Sequence, residues 1–351
     1  MRVIGRLILC AVLLFLTVAL VSAATYVPGF FLFYTPLSKQ AAMFLSGVTA
    51  SFPFPVWQAL AVLGLLLLVY SLVRCFARKR GFLRWVAGVA VCLSFLALAF
   101  TALWGLNHWA PELEDRLGLN TDNITASELA EVTSYFAGEA NRLSAAVPRA
   151  ADGTVVVDAK TAAKTAGAAF SPLAVLNPFF DGSQDPVKLL LVPELFSRCG
   201  TTGLYLCLTG EACVNPDTYP ASLPYTMCHE AAHRLTVAGE DEANFCAFLA
   251  CQASSDPVFQ YSGVYSSFIF CYNALEKADS QAAGDVWEQL SEDVRQDVLR
   301  ASDYYAEFEG ALQETVQQIN DAYLKTCNEE EGIDSYGQVT DLLIGWYRGQ
   351  S

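Results

Sequence analysis

His229-Glu230-Ala231-Ala232-His233 is the segment whose residue types and spacing speak most directly of chemistry. Residues four apart on a helix share a face about one turn apart, so two imidazoles at this spacing can hold one metal ion between them. Glu230, one step further along, lies about 100° round the helix and can act on a water at the metal without ligating the metal itself. This is the working content of the His-Glu-x-x-His pattern of zinc peptidases, with one Zn2+ as the cofactor.

A catalytic zinc commonly takes three protein ligands and leaves one position open. The chain has three His, and the remaining one, His108, stands far upstream. Carboxylates at Glu240, Asp241 and Glu242 follow the motif closely. Glu242 is favoured as the third ligand because on a helix it shares a face with Phe245, Cys246 and Leu249. Glu240 and Asp241 would occupy an exposed first turn, where acids suit the positive end of the helix dipole.

Elements must position these groups. Helical periodicity runs from Leu223 to Ala238, with Gly239 as a left-handed stop, and a second helix begins near Glu240. Leu189–Val192 and Gly203–Asn215, with a turn at Thr209-Gly210-Glu211, read as strands. Thr154–Val157 gives a weaker strand signal. Thr125-Ala-Ser-Glu128 reads as a capping box opening a helix to about Val147. Further helices are expected over 160–170, 261–278, 283–290, 292–302, 304–325 and 336–346. Apart from that small hairpin, the chain is mainly α.

The first third differs in kind. Leu7–Tyr26, Val56–Val73 and Trp85–Leu106 carry no formal charge and are long enough to cross a hydrocarbon layer of roughly 30 Å. The chain therefore divides into a membrane anchor over 1–106 with three spans, and a body over 107–351. Arg74, Arg78, Lys79, Arg80 and Arg84 between the second and third spans, with Arg2 and Arg6, belong on the cytoplasmic side, which puts the body on the outer side. A cleaved signal peptide is the alternative for the first span, after Val21-Ser22-Ala23, and it leaves that topology unchanged. The aromatic segment from Tyr26 to Pro55 is expected at the membrane interface.

Eight of the 21 basic residues precede Glu112 and none of the 36 acidic ones does, so the remainder carries a formal charge of −23. Such a body is unsuited to nucleic acid, whose phosphates select basic surfaces. Its partners are the lipid bilayer and a peptide or protein substrate. Of the cysteines, Cys207 and Cys213 are the pair to test first for a disulfide outside the cytoplasm, with buried thiols as the equal alternative.

Met227-Cys-His-Glu-Ala-Ala-His-Arg234, Gly239-Glu-Asp-Glu-Ala-Asn-Phe245 and Leu208-Thr-Gly-Glu-Ala-Cys-Val-Asn215 resemble a bacterial family of membrane proteins of unassigned function. That family looks like a branch of the gluzincins, whose third ligand is a Glu on the next helix. The resemblance implies a zincin-like body in the bacterial cell membrane and matches the gluzincin Glu-Ala-Asp pattern to Glu242-Ala243-Asn244, with Asn244 behind a ligating His in place of Asp. It also implies Tyr336 as an oxyanion donor. Glu211 and Asn215, in the strand pair before the motif helix, stand where zinc peptidases lay an extended substrate.

The expected function is a membrane-anchored zinc metallopeptidase acting on extracytoplasmic amide bonds, with Glu230 as general base. The alternatives are a non-catalytic metal- or peptide-binding surface module and a zinc amidase acting on cell-wall peptides.

Overall fold

Four long helices open the chain: α1 (Val3–Tyr26), α2 (Phe30–Ala50), α3 (Val56–Ala77) and α4 (Phe82–Leu103). The computed structural model describes residues 3–78, 81–327 and 338–350. α1, α3 and α4 are long and apolar enough to cross a membrane, and most of their large side chains face outward, as lipid-facing helices require. α1 runs beside α4 with Arg6 donating to the Arg84 carbonyl. The N-termini of both helices and their basic residues therefore lie at one end, and the body lies at the other.

α2 takes the place of the interfacial segment expected between the first two spans. Its buried face is built of small and polar residues, Ser38, Ala42, Ser46 and Thr49, and packs on the body. Ser46 Oγ donates to Asp185 (2.7 Å), and Lys39 Nζ to the Phe179 carbonyl (2.6 Å). Leu32, Phe33, Leu37, Phe44 and Val48 are left on its outer face, the amphipathic division of a helix lying along a membrane surface.

A short 3-10 turn over Gly105–Trp109 leads from α4 into the body. The body's helices are α5 (Leu113–Leu117), α6 (Ala126–Ser144), α7 (Ala159–Thr165), α8 (Ser171–Leu176), α9 (Pro193–Arg198), α10 (Leu223–Arg234), α11 (Glu240–Ala253), α12 (Pro257–Ala278), α13 (Ser280–Trp287), α14 (Glu292–Ala306), α15 (Ala311–Thr326) and α16 (Val339–Arg348). α6 opens with the expected capping box, Thr125 and Glu128 each satisfying the other's backbone N–H. The single helix read over 304–325 is broken ahead of Gly310, giving α14 and α15. The weak strand signal at Thr154–Val157 amounts to one bridge, Arg149 to Val155.

The sheet has three short strands, β1 (Lys188–Leu189), β2 (Gly203–Leu206) and β3 (Glu211–Val214), in the order β1-β3-β2. β1 pairs parallel and β2 antiparallel with β3. Gly210 turns the hairpin with φ 67° and lies on α2, where a Cβ would come within 2.5 Å of the Ser46 nitrogen. Cys207 and Cys213 are buried free thiols, not a disulfide. Burial raises both, Cys207 to about 12. The body's core gathers Phe136, Phe245, Phe248, Phe268 and Leu343 around α10, which is buried along its whole length. The chain is thus mainly helical, with one small sheet and three apolar N-terminal helices.

Candidate active site

α10 carries His229, Glu230 and His233 into the heart of the body, and its exit fixes what comes next. The helix ends at Arg234. Thr236 then adopts a left-handed conformation (φ 73°), while Gly239 does not (φ −62°). The expected glycine stop is therefore a threonine stop. Left-handed backbone is costly for a β-branched residue and persists where the surroundings dictate it. Here His233 Nδ1 donates to the Val237 carbonyl (2.8 Å). Gly239 becomes the N-terminal flank of α11, which starts directly over the imidazoles.

That tight return decides the third donor. Glu240, the first residue of α11, brings Oε2 to 3.1 Å from His229 Nε2 and 3.6 Å from His233 Nε2. The two Nε2 atoms are 3.0 Å apart. Glu240, not Glu242, completes the group of three metal-ligating atoms. Two residues on a helix differ by about 200°, so the same placement sends Glu242 the opposite way. Its Oε1 accepts from the Leu113 N–H (2.5 Å), and it lies close enough to Arg116 to stabilise that guanidinium's charge. Glu240 does not occupy the exposed turn expected of it, because the loop folds the first turn of α11 back onto α10.

The donors fit a metal ion. Zinc bonded at about 2.0–2.1 Å in a tetrahedron separates its ligand atoms by roughly 3.3 Å, the spacing of these three. His229 Nδ1 is bonded to Asn244 Oδ1 (2.9 Å) and His233 Nδ1 to the Val237 carbonyl. Both rings therefore keep their protons on Nδ1 and, when neutral, turn Nε2 lone pairs toward each other and toward a carboxylate. Three electron-rich atoms so placed repel one another unless a cation lies among them. Among the protein's own groups, burial lowers His233, but Glu240, Glu230 and the Val237 carbonyl together outweigh it and hold the ring up at about 9. His229 is lowered, by burial first.

Glu230 is buried, and one carboxylate oxygen, Oε2, has no hydrogen-bond partner. Burial pushes its carboxyl up to about 8. β2 makes room for it: a Cβ at Gly203 would lie 2.7 Å from Glu230 Cγ and 2.8 Å from Cδ. These residues line a cleft of about 790 Å³, walled by Thr201–Tyr205, the His pair, Tyr265 and Tyr323. β2 is an edge strand. The Asn215 N–H bonds the Thr202 carbonyl, so by antiparallel alternation the backbone groups of Gly203 and Tyr205 point away from β3 toward the open edge.

Trp104, just past α4, closes one end of the cleft. Its indole meets the His233 ring edge-on at 5.5 Å and lies 4.9 Å from the Tyr205 ring. Trp104 Nε1 donates to the Tyr323 hydroxyl (3.1 Å), and His108 Nε2 lies 3.2 Å from the same oxygen.

The chain matches the model of the family described as Protein of unknown function (DUF3810) over residues 33–344. It belongs to that family. No curated protein matches the chain, and no solved structure does. The DUF3810 match takes in α2–α4 together with the cleft, so anchor and site are parts of one family unit.

Two expected substrate contacts of this DUF3810 chain lie elsewhere. Glu211 is fully buried, pairs with Lys188 Nζ (2.6 Å) and accepts the Val56 and Trp57 N–H groups (2.7 and 2.8 Å). It caps the positive end of α3 and ties that helix to the body. Asn215 is buried too, with Nδ2 donating to Ser197 Oγ (2.9 Å) and to the Pro193 and Thr201 carbonyls. It braces α9 against the strands. Both side chains point behind the sheet, where a strand's alternation puts every second residue. Tyr336 lies outside the described residues. Sequence reasoning missed Glu240, Gly203, Trp104 and Tyr323. Of these, Glu240 reads in the sequence as an acid of an exposed first turn, while the others gain meaning only when α4, β2 and α15 meet.

Proposed function

We propose that this protein is a membrane-anchored, zinc-dependent peptidase whose body lies on the outer side of a bacterial cell membrane. The observation carrying this reading is the convergence of His229, His233 and Glu240 at metal-ligand spacing beside the partnerless oxygen of Glu230. A binding module has no use for a desolvated carboxylate held against its metal site. A hydrolase needs one as its base.

Zinc, when bound, would polarise the scissile carbonyl and acidify a water. Glu230 takes the proton of the attacking water on its partnerless oxygen as the new C–O bond forms, then passes it to the amine nitrogen, and the amide C–N bond breaks. Burial shields Glu230 from bulk water, so that the proton it takes is held for the departing nitrogen. Asn244 fixes the His229 ring from behind, and the Val237 carbonyl does the same for His233. The Tyr323 hydroxyl accepts from Trp104 Nε1 and, with His108 Nε2 carrying its proton and donating too, has its own proton to offer to developing negative charge in the cleft. The free edge of β2 at Gly203 and Tyr205 offers backbone pairing to an extended peptide, with little demand on its sequence.

The test is hydrolysis of a broad peptide library by the full chain. Cleavage should vanish with a chelator, return with zinc, and be absent in Glu230→Gln while that variant still binds metal. Undiminished cleavage by Glu230→Gln would remove the proposed base.

A further inference from the structure

The candidate metal cluster lies one aromatic ring from the end of a membrane-length helix. Trp104 directly follows Leu103, where α4 ends, and its indole touches His233. The 22 residues of α4 extend about 33 Å at 1.5 Å per residue, enough to cross a hydrocarbon layer of roughly 30 Å. The end of α4, with the cluster beside it, then falls at the boundary between acyl chains and headgroups.

The surrounding surface continues at this level. α2 turns Leu32, Phe33, Leu37, Phe44 and Val48 outward along its length. Leu191, Val192 and Leu195 are exposed beside the start of α3, where the Leu191 backbone exchanges two hydrogen bonds with the Gln58 side chain. Val175 and Leu176 are 85% and 83% exposed. They precede the turn whose Phe179 carbonyl receives Lys39 of α2. Single exposed apolar residues are ordinary, but here three segments, each on or tied to α2 or α3, expose them around the ends of the spans. Lipid covers such a surface at a gain that water cannot match. The segment carrying Leu195 continues through Cys199 and Gly200 into Thr201–Tyr205, the wall of the cleft. One rim of the cleft is therefore continuous in the chain with this apolar surface.

We propose that the substrate is presented by the bilayer: a membrane-anchored polypeptide cut in the segment next to its anchor, not a freely diffusing peptide. This rests on the peptidase reading above. A headgroup layer of about 5–8 Å on each side is crossed by two or three extended residues at about 3.3 Å each. Scissile bonds accordingly lie within about five residues of the anchor. Sharing a membrane with the enzyme raises the effective substrate concentration, with gains on the order of 100-fold.

The experiment places the full chain, zinc-loaded, in liposomes with a randomised peptide library in two forms, one carrying a dioleoyl anchor at one end and one without it, and reads the cuts by mass spectrometry. The anchored form should be cut on the order of 100-fold more efficiently, close to its anchor. Equal cutting of both forms overturns membrane presentation and leaves the peptidase standing. Failure to cut either form overturns the peptidase reading and this inference with it. Replacing Val192 and Leu195 together by Ser should move the cuts in the anchored form away from its anchor without slowing cleavage of the unanchored one. An unchanged cut position counts against the lipid-resting rim.

Discussion

Gly203 of β2 lies directly against the Glu230 side chain, so close that a single methyl group on its Cα would overlap Cγ and Cδ at 2.7 and 2.8 Å. The strand edge that could pair with a peptide and the carboxylate that could activate water are thereby held in contact.

Gly203→Ala tests this contact. The new methyl group must push Glu230 off its position or β2 off α10, and a misplacement of about 1 Å at a reacting centre costs on the order of 100-fold in rate. Turnover should fall by about that factor with metal content unchanged, because the three atoms nearest the new methyl group all belong to Glu230 and none to a metal-ligating residue. Wild-type turnover would show that the carboxylate is placed by something else.

Metal affinity should rise with pH. His233 in the metal-free protein is held up at about 9, above its ordinary value of 6.5, so below about 9 an entering metal ion displaces a proton from it. His229 is lowered and already neutral near pH 7. Affinity should therefore gain up to about tenfold per pH unit from 6.5 to 9 and then level off. The same sign makes the folding stability that the metal-free protein draws from the His233–Glu240 pair complete below about 6.5 and lost as pH rises through about 9. Chelator competition at several pH values reads the slope, and a flat profile would contradict it.

Glu211→Ala should cost stability, not substrate affinity. It strands Lys188 in a buried site and uncaps α3, a loss of about 3–5 kcal/mol for a broken buried pair. Thermal unfolding of the full chain in detergent measures it. Unaltered melting with weakened peptide binding would return Glu211 to the substrate site.

Tyr323→Phe removes one hydroxyl between Trp104, His108 and the cleft. If that hydroxyl meets charge only as it develops, kcat should drop by about 10²–10³ with KM little changed. A change confined to KM would make Tyr323 a binding contact instead.

The local signals in the sequence carried far. The capping box at Thr125 and Glu128, the three apolar spans and the hairpin turn at Gly210 each depend on neighbours a few residues away, and each stands within a few residues of where its chemistry put it. The His229, Glu230 and His233 trio is local too, since one helix carries all three. What escaped depends on how elements return upon each other. Glu240 and Glu242 are both acids at the start of one helix, and only the left-handed Thr236 decides which meets the imidazoles. Glu211 and Asn215 share a polar hairpin, yet burial behind β3 turns them to α3 and α9. Trp104 reads as the end of a membrane span, and its place beside His233 emerges only when α4 meets α10.

The most direct test of the central claim is the metal content of the purified full chain, measured side by side for wild type, Glu240→Ala and Glu242→Ala. One zinc per chain is expected in wild type and in Glu242→Ala, with most of it lost from Glu240→Ala. No bound metal in wild type, or retention in Glu240→Ala with loss from Glu242→Ala, would contradict the site described.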